Sequence, residues 1–188
     1  MKKRAFSIIE LVVAVAIFSI ILTVVFALLT GGQKAFDVGN IQIEVEQEAR
    51  RALDYIVKEL RQTRSNKVSG ISEGVNASSI TFEIPWDAND NGTVIEGGGI
   101  EWSDDPGGKR IGTITYSLSG DQIVRTLSLS GEQSVLANKV ATLNFNWPAG
   151  TDIIEIYITA EKYAFKGFTS PGDEKVSITL NTQVRLRN

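Results

Sequence analysis

From Leu11 to Leu29 the chain runs for 19 residues without a charged side chain. As a helix rising about 1.5 Å per residue, that run just crosses a hydrocarbon core of about 30 Å. Lys2, Lys3 and Arg4 precede it. By the tendency of basic flanks to stay on the cytoplasmic side, the chain after about Thr30 is expected to be exported. An ordinary signal peptide is the simplest alternative, but its apolar stretch spans only about 7–15 residues and ends at a small-residue cleavage site. Here the stretch is longer and no such site directly follows it. Glu10 adds a further constraint. A lone carboxylate at the centre of a membrane helix costs about 2.5–3.5 kcal/mol on insertion scales, and a discarded targeting peptide gains nothing from that cost. A carboxylate kept beside the bilayer is better explained by a partner.

The stretch Lys2-Lys3-Arg4-Ala5-Phe6-Ser7-Ile8-Ile9-Glu10-Leu11, followed by Val12-Val13-Ala14-Val15-Ala16-Ile17, resembles the class III signal of type IV pilins and type II secretion pseudopilins. The resemblance implies a leader of residues 1–5 that a prepilin peptidase removes between Ala5 and Phe6. It also implies N-methylation of the new terminus at Phe6, and Glu10 as the carboxylate used in assembly. One departure is that Ala5 stands where the family usually has Gly. The implied partners are the peptidase, other pilin or pseudopilin subunits, an inner-membrane assembly platform, and the lipid bilayer before assembly. The implied location is the inner membrane, single-pass, and then the pilus or pseudopilus.

Composition removes several kinds of chemistry. The chain has no Cys, which excludes disulfides, a thiolate nucleophile and Cys-ligated zinc. It has no His, which excludes a Ser-His-Asp triad and imidazole metal ligands. Gly97-Gly98-Gly99 lacks the Lys-Ser/Thr of a phosphate-binding loop. The net charge of −3, falling to −6 if Lys2, Lys3 and Arg4 are lost, gives no electrostatic ground for nucleic-acid binding. The chain is therefore read as a non-enzyme.

Beyond the apolar run, Ile41, Val45, Ala49, Ala52, Ile56 and Leu60 recur at helical spacing. Glu46, Glu48, Arg50, Arg51, Lys58 and Glu59 fall between them. Asp54 and Lys58 have the spacing of a helical ion pair. Gly31, Gly32 and Gly39 predict a bend or local melting between the two stretches. The expected organisation is a transmembrane helix over 6–30, an amphipathic continuation over 31–65, and a β-rich domain over 66–188. Ile80, Phe82 and Ile84 alternate with polar residues, as do Ile114, Tyr116 and Leu118; Ser119-Gly120-Asp121 turns the chain into 122–127. Leu143, Phe145 and Trp147, then Ile154, Ile156 and Ile158, continue the pattern. Val176, Ile178, Leu180, Val184 and Leu186 close the chain, with a bend expected near Asn181. A long helix packed on a mostly antiparallel sheet is an α+β fold. The segments 114–118, 124–126, 135–140 and 184–188 are similar to the larger J-type minor pseudopilins and related minor pilins, which implies a minor subunit. That similarity fits both machines equally.

Asp87, Asn89 and Asn91 place oxygens at alternate positions before Gly92, as in the start of a calcium loop. The twelfth position is Gly98 rather than Glu, with Glu96 as the substitute carboxylate. The other reading is a solvated Asn/Asp/Gly turn. Asp104-Asp105-Pro106-Gly107 reads as a turn, and Trp86, Trp102 and Trp147 as core or sheet aromatics. Together these features predict a structural filament subunit. Its rivals are a single-pass anchored binding module and a secreted enzyme with an unusual signal peptide.

Overall fold

The computed structural model describes residues 7–87, 89–105, 110–163 and 175–187; Ala5 and Phe6 lie outside them. The chain divides into two units, residues 1–40 and 41–188. Helix α1, Ile8–Leu60, contributes to both and is assigned without a break through Gly31, Gly32 and Gly39. The local melting expected there does not occur. Three glycines cost about 3 kcal/mol of helix propensity in sum, spread over a 53-residue helix whose hydrogen bonding is cooperative.

In the second unit the helix presents Val45, Ala49, Ala52, Ile56 and Leu60, all buried, with Ile41 partly covered. This is the stripe read from the sequence. Beyond Leu60 the helix tightens. Gln62 and Thr63 donate their N–H groups three residues back, to Glu59 and Leu60, before a short 3-10 turn over Ser65–Lys67. The Thr63 carbonyl instead accepts the N–H of Arg187, so a tertiary contact ends the helix earlier than residue 64. Glu46 with Arg50, at 2.6 Å, is the ion pair seen along the helix; Asp54 and Lys58 form none.

Among the described residues eleven strands follow: β1 Val68–Ser69, β2 Asn76–Ala77, β3 Ser79–Phe82, β4 Ile95–Glu96, β5 Gly99–Ile100, β6 Ile114–Ser119, β7 Gln122–Leu127, β8 Gln133–Ala137, β9 Val140–Asn146, β10 Ile153–Tyr163 and β11 Lys175–Arg185. They form a five-stranded sheet ordered β1-β3-β6-β7-β8, a four-stranded sheet ordered β11-β10-β9-β2, and the small β4-β5 hairpin. Every ladder is antiparallel. The β6–β7 hairpin turns through Gly120 and Asp121, and Gly120 at φ 62° supplies the left-handed residue such a two-residue loop requires. The β10–β11 register runs through Tyr157↔Asn181 without a shift. One hydrophobic core joins the helix stripe to both larger sheets through residues such as Ile80, Phe82, Ile123, Phe145, Ile156 and Val184.

Two charged contacts fasten the helix to the strands. Glu59 is buried rather than solvent-facing. Its carboxylate accepts from Arg125 at 3.0 and 3.2 Å and from the Tyr116 hydroxyl at 2.5 Å. Burial, and then the neighbouring Glu59 charge, drive the Tyr116 hydroxyl far above its ordinary pKa. Near the start of this unit, Glu44 meets Lys139 at 2.8 Å and Lys162 at 2.5 Å. Hydrogen bonds from those two ammonium groups, first Lys139 and then Lys162, lower the Glu44 carboxyl to about 2.

Two outcomes follow for the detergent-solubilised chain. Glu59→Ala strands Arg125 and Tyr116 and should cost about 3–5 kcal/mol in urea unfolding. Glu59→Leu combined with Arg125→Met should recover much of that loss. A double variant no more stable than the single one would remove the ion-pair account. Because Glu44 has a lower pKa folded than unfolded, the unfolded state binds more protons between its ordinary value of 4.5 and about 2. Its contribution is complete above that window and lost as pH falls through it. Being solvent-exposed, the pair is screened and its share is modest. Glu44→Gln should flatten this part of the stability–pH curve; an unchanged slope against wild type would show that the clamp is silent.

Candidate assembly and processing site

In the first unit the side chains from Ile8 to Leu29 stand exposed on every face, for example Ile8 at 83% and Phe26 at 70%. The helix is long and apolar enough to cross a membrane. Its few hydroxyls are satisfied internally. Ser19 donates to the Val15 carbonyl at 2.8 Å, Thr23 to Ser19 at 2.8 Å, and Thr30 to Phe26 at 3.0 Å. A hydroxyl bonded four residues back asks nothing of a surrounding apolar medium, which makes these polar residues tolerable in such a segment.

Glu10 differs. It stands one helical turn in from Ser7, on the face that also carries Val13, Ala14 and Ile17. Its Oε2 accepts the Ser7 backbone N–H at 3.0 Å, while the Ser7 hydroxyl accepts the N–H of Ile9 at 3.3 Å. This reciprocal pair is a capping box, in which the first turn's orphan donors are satisfied by Ser at the cap and Glu three residues on. The signal lay in plain view as Ser7-Ile8-Ile9-Glu10, a Ser-x-x-Glu before an apolar run. It adds a local role to a residue otherwise singled out for its cost. Ser7 is the residue that sequence reasoning missed.

The loop carrying the candidate calcium ligands is exposed. Asp87 accepts the N–H groups of Asn91 at 3.1 Å and Gly92 at 2.7 Å through its two carboxylate oxygens. Asn89 donates to Glu96 and to Glu101, each at 2.8 Å, and Asn91 also donates to Glu96. Asp90 and Gly92 adopt left-handed backbone, with φ of 62° and 86°. The structure thus brings Asp87, Asn89, Asn91 and Glu96 together. The bonds drawn are those of a self-satisfied Asx-rich turn. Among the described residues no group of three or more His, Cys, Asp or Glu is placed to hold a metal ion.

Trp102 and Trp147 are buried, as read, and Trp147 donates its indole N–H to the Thr151 carbonyl at 2.7 Å. Trp102 lies under the cations of Arg64 and Lys67, 5.8 and 5.3 Å from its ring centre. Asp105 caps that segment by accepting the Trp102 N–H at 2.8 Å. These contacts hold a loop in place and assemble no reacting pair.

Residues 1–26 match the family model for the prokaryotic N-terminal methylation motif. No curated protein and no solved structure matches the chain. The matched segment contains Ala5, Phe6, Ser7 and Glu10 and enters the apolar helix. The motif supports a type IV pilin-like signal, of the kind a prepilin peptidase handles, at the head of that apolar helix.

Proposed function

We propose that this chain is a subunit of a type IV pilus or of a type II secretion pseudopilus. In this reading it is inserted with its N-terminus in the cytoplasm, cut between Ala5 and Phe6, methylated at Phe6, and withdrawn from the membrane into a helical filament. The observation that carries the proposal is the methylation motif over residues 1–26, with Glu10 as the carboxylate at the head of a membrane-length helix. The J-type resemblance supports a minor subunit, which its copy number in sheared filaments would test.

Cleavage before Phe6 creates an α-amine with a reference pKa of about 8, cationic at neutral pH. Two such charges are each costly inside a helix bundle, and paired they offset much of the desolvation. The uncut precursor has an uncharged amide at Phe6, so the contact cannot form before processing. Glu10 holds its own Ser7 N–H in the isolated chain, and contact with a neighbour's amine would exchange one donor for a stronger, charged one. Glu10→Leu should therefore leave cleavage at Phe6 intact by mass spectrometry and sharply reduce incorporation into sheared filaments at equal membrane abundance. Equal incorporation removes the assembly contact, and an intact mass starting at Met1 or beyond Thr30 removes the reading altogether.

We further propose calcium as a ligand of Asp87, Asn89, Asn91 and Glu96. Support comes from the way the Glu96 carboxylate, brought round by the β4-β5 hairpin, meets both Asn89 and Asn91. A metal bound only to the folded state raises stability by mass action. Thermal melts in millimolar calcium should exceed those in chelator, and identical midpoints would leave the turn as the whole account.

A further inference from the structure

Arg50, Lys67, Arg125, Lys139, Lys162 and Lys175 each meet a carboxylate. Arg61, Arg64, Arg185 and Arg187 meet none among the described residues. These four come from the end of α1 and the end of β11, and the fold gathers them. Arg64 and Arg187 are bridge partners, with the Arg187 N–H on the Thr63 carbonyl at 3.0 Å. Arg185 stands on the same side of its segment as Arg187, because Leu186 between them is buried. Arg61 is exposed three residues before Arg64, in the tightened turn that ends the helix.

Like charges set opposite one another on paired backbone repel. The C-terminal end of a helix supplies about half a negative charge, and its effect fades within the last turn. Four guanidiniums exceed what that can offset. Arg64 is partly accommodated over the Trp102 ring, 5.8 Å from its centre. Arg61, Arg185 and Arg187 are exposed. The cluster also runs against the chain's own balance, a net charge of −3.

We propose that this arginine cluster docks an acidic face of a different filament subunit, one that presents several Asp or Glu side chains together. A guanidinium offers a planar fork that matches the two oxygens of a carboxylate. The surroundings limit what can sit there. On one side Lys67 is already held by Glu83 at 2.9 Å, with Asp105 at 3.9 Å. Beyond Arg185 on β11, the next outward residue is Gln183, whose amide donates to Glu155 at 3.0 Å. These carboxylates confine an anionic partner to a compact group. The charge of a nucleic acid continues along its length and would run onto them. Trp102, the aromatic ring at the cluster, is buried beneath the cations and closed to a stacking base. The inference rests on the filament reading, in which a minor subunit has other chains as neighbours, and it states what one of them must present.

Arg64 is left in place in the test because it covers Trp102. Full-length chain carrying Arg61→Glu, Arg185→Glu and Arg187→Glu sets like charge against an acidic neighbour. Its incorporation into sheared filaments should fall about tenfold or more at equal membrane abundance. Its melting temperature in detergent should match wild type. Changing the same three residues to Gln should give a smaller loss, and changing them to Lys, which keeps the charge without the fork, a smaller loss still. If the charge-reversed chain melts lower than wild type, the comparison of the Gln and Lys sets decides. Selection for restored incorporation of the charge-reversed chain should return acidic-to-basic changes in another filament subunit. Wild-type incorporation of the charge-reversed chain overturns the docking, as do equal losses for the Gln and Lys sets. Rescue confined to this chain points to a second copy and also overturns it. Binding of a labelled oligothymidylate by wild type, abolished by charge reversal, overturns it in favour of nucleic acid. Absence of the wild-type chain from filaments removes the docking and the filament reading together.

Discussion

A buried carboxylate sets the terms for the domain that follows the membrane-length helix. The stripe from Val45 to Leu60 can attract sheets, but apolar burial is non-directional and would accept a helix rotated or slid by part of a turn. Glu59 forbids that freedom. Its two oxygens are claimed by Arg125 from β7 and Tyr116 from β6, adjacent strands of one sheet. Displacing the helix would leave a carboxylate, a guanidinium and a phenol short of partners in a place water does not reach. Glu44 adds an exposed clamp through Lys139, at the β8–β9 turn, and Lys162 on β10. One clamp engages each larger sheet or its connection, and the apolar stripe lies between them.

The preceding segment is organised on the opposite principle. Nothing in it is buried within the chain, and every side chain from Ile8 to Leu29 is exposed. Its hydroxyls turn back on their own helix. Among its described residues up to Leu29, Ser7 and Glu10 carry side-chain acceptors that a neighbour can compete for, and the present holder is the helix's own first turn. The filament contact proposed at Glu10 would replace an existing bond, so its net strength would be a difference and smaller than a bare ion-pair estimate. The same box would set the carboxylate's position before any partner arrived, lowering the ordering cost of the exchange.

How legible the molecule is in its sequence depends on the range of the interaction. The helix stripe, the β6–β7 hairpin and the alternating strands 153–163 and 175–185 are written in local periodicity, and the structure reproduces them. Ser7 was equally local but was eclipsed by the stronger peptide signal around it. Glu59 was misread because its neighbours in sequence, Lys58 and Arg61, are solvent charges. Only pairing with Arg125, 66 residues away, reveals why it is buried. The five-residue strand β8 and the two-residue β1, β2, β4 and β5 were too short for their alternation to stand out. The division of the strands into two sheets depends on long-range pairings such as Ala77↔Phe145, for which no local pattern exists.

The closing residues carry a temporal consequence. Thr63, at the end of the helix, receives its backbone partner from Arg187, and Arg64 bridges the same residue in parallel. Leu186, buried beside them, bonds Asp152. The helix end is thus sealed by chain made well after it. While β11 and the residues just after it are still held back, during synthesis or passage through a channel, that seal and the outer strand of the four-stranded sheet are both missing. The domain therefore cannot close in the order in which its helix appears, which keeps the emerging polypeptide open enough to be threaded.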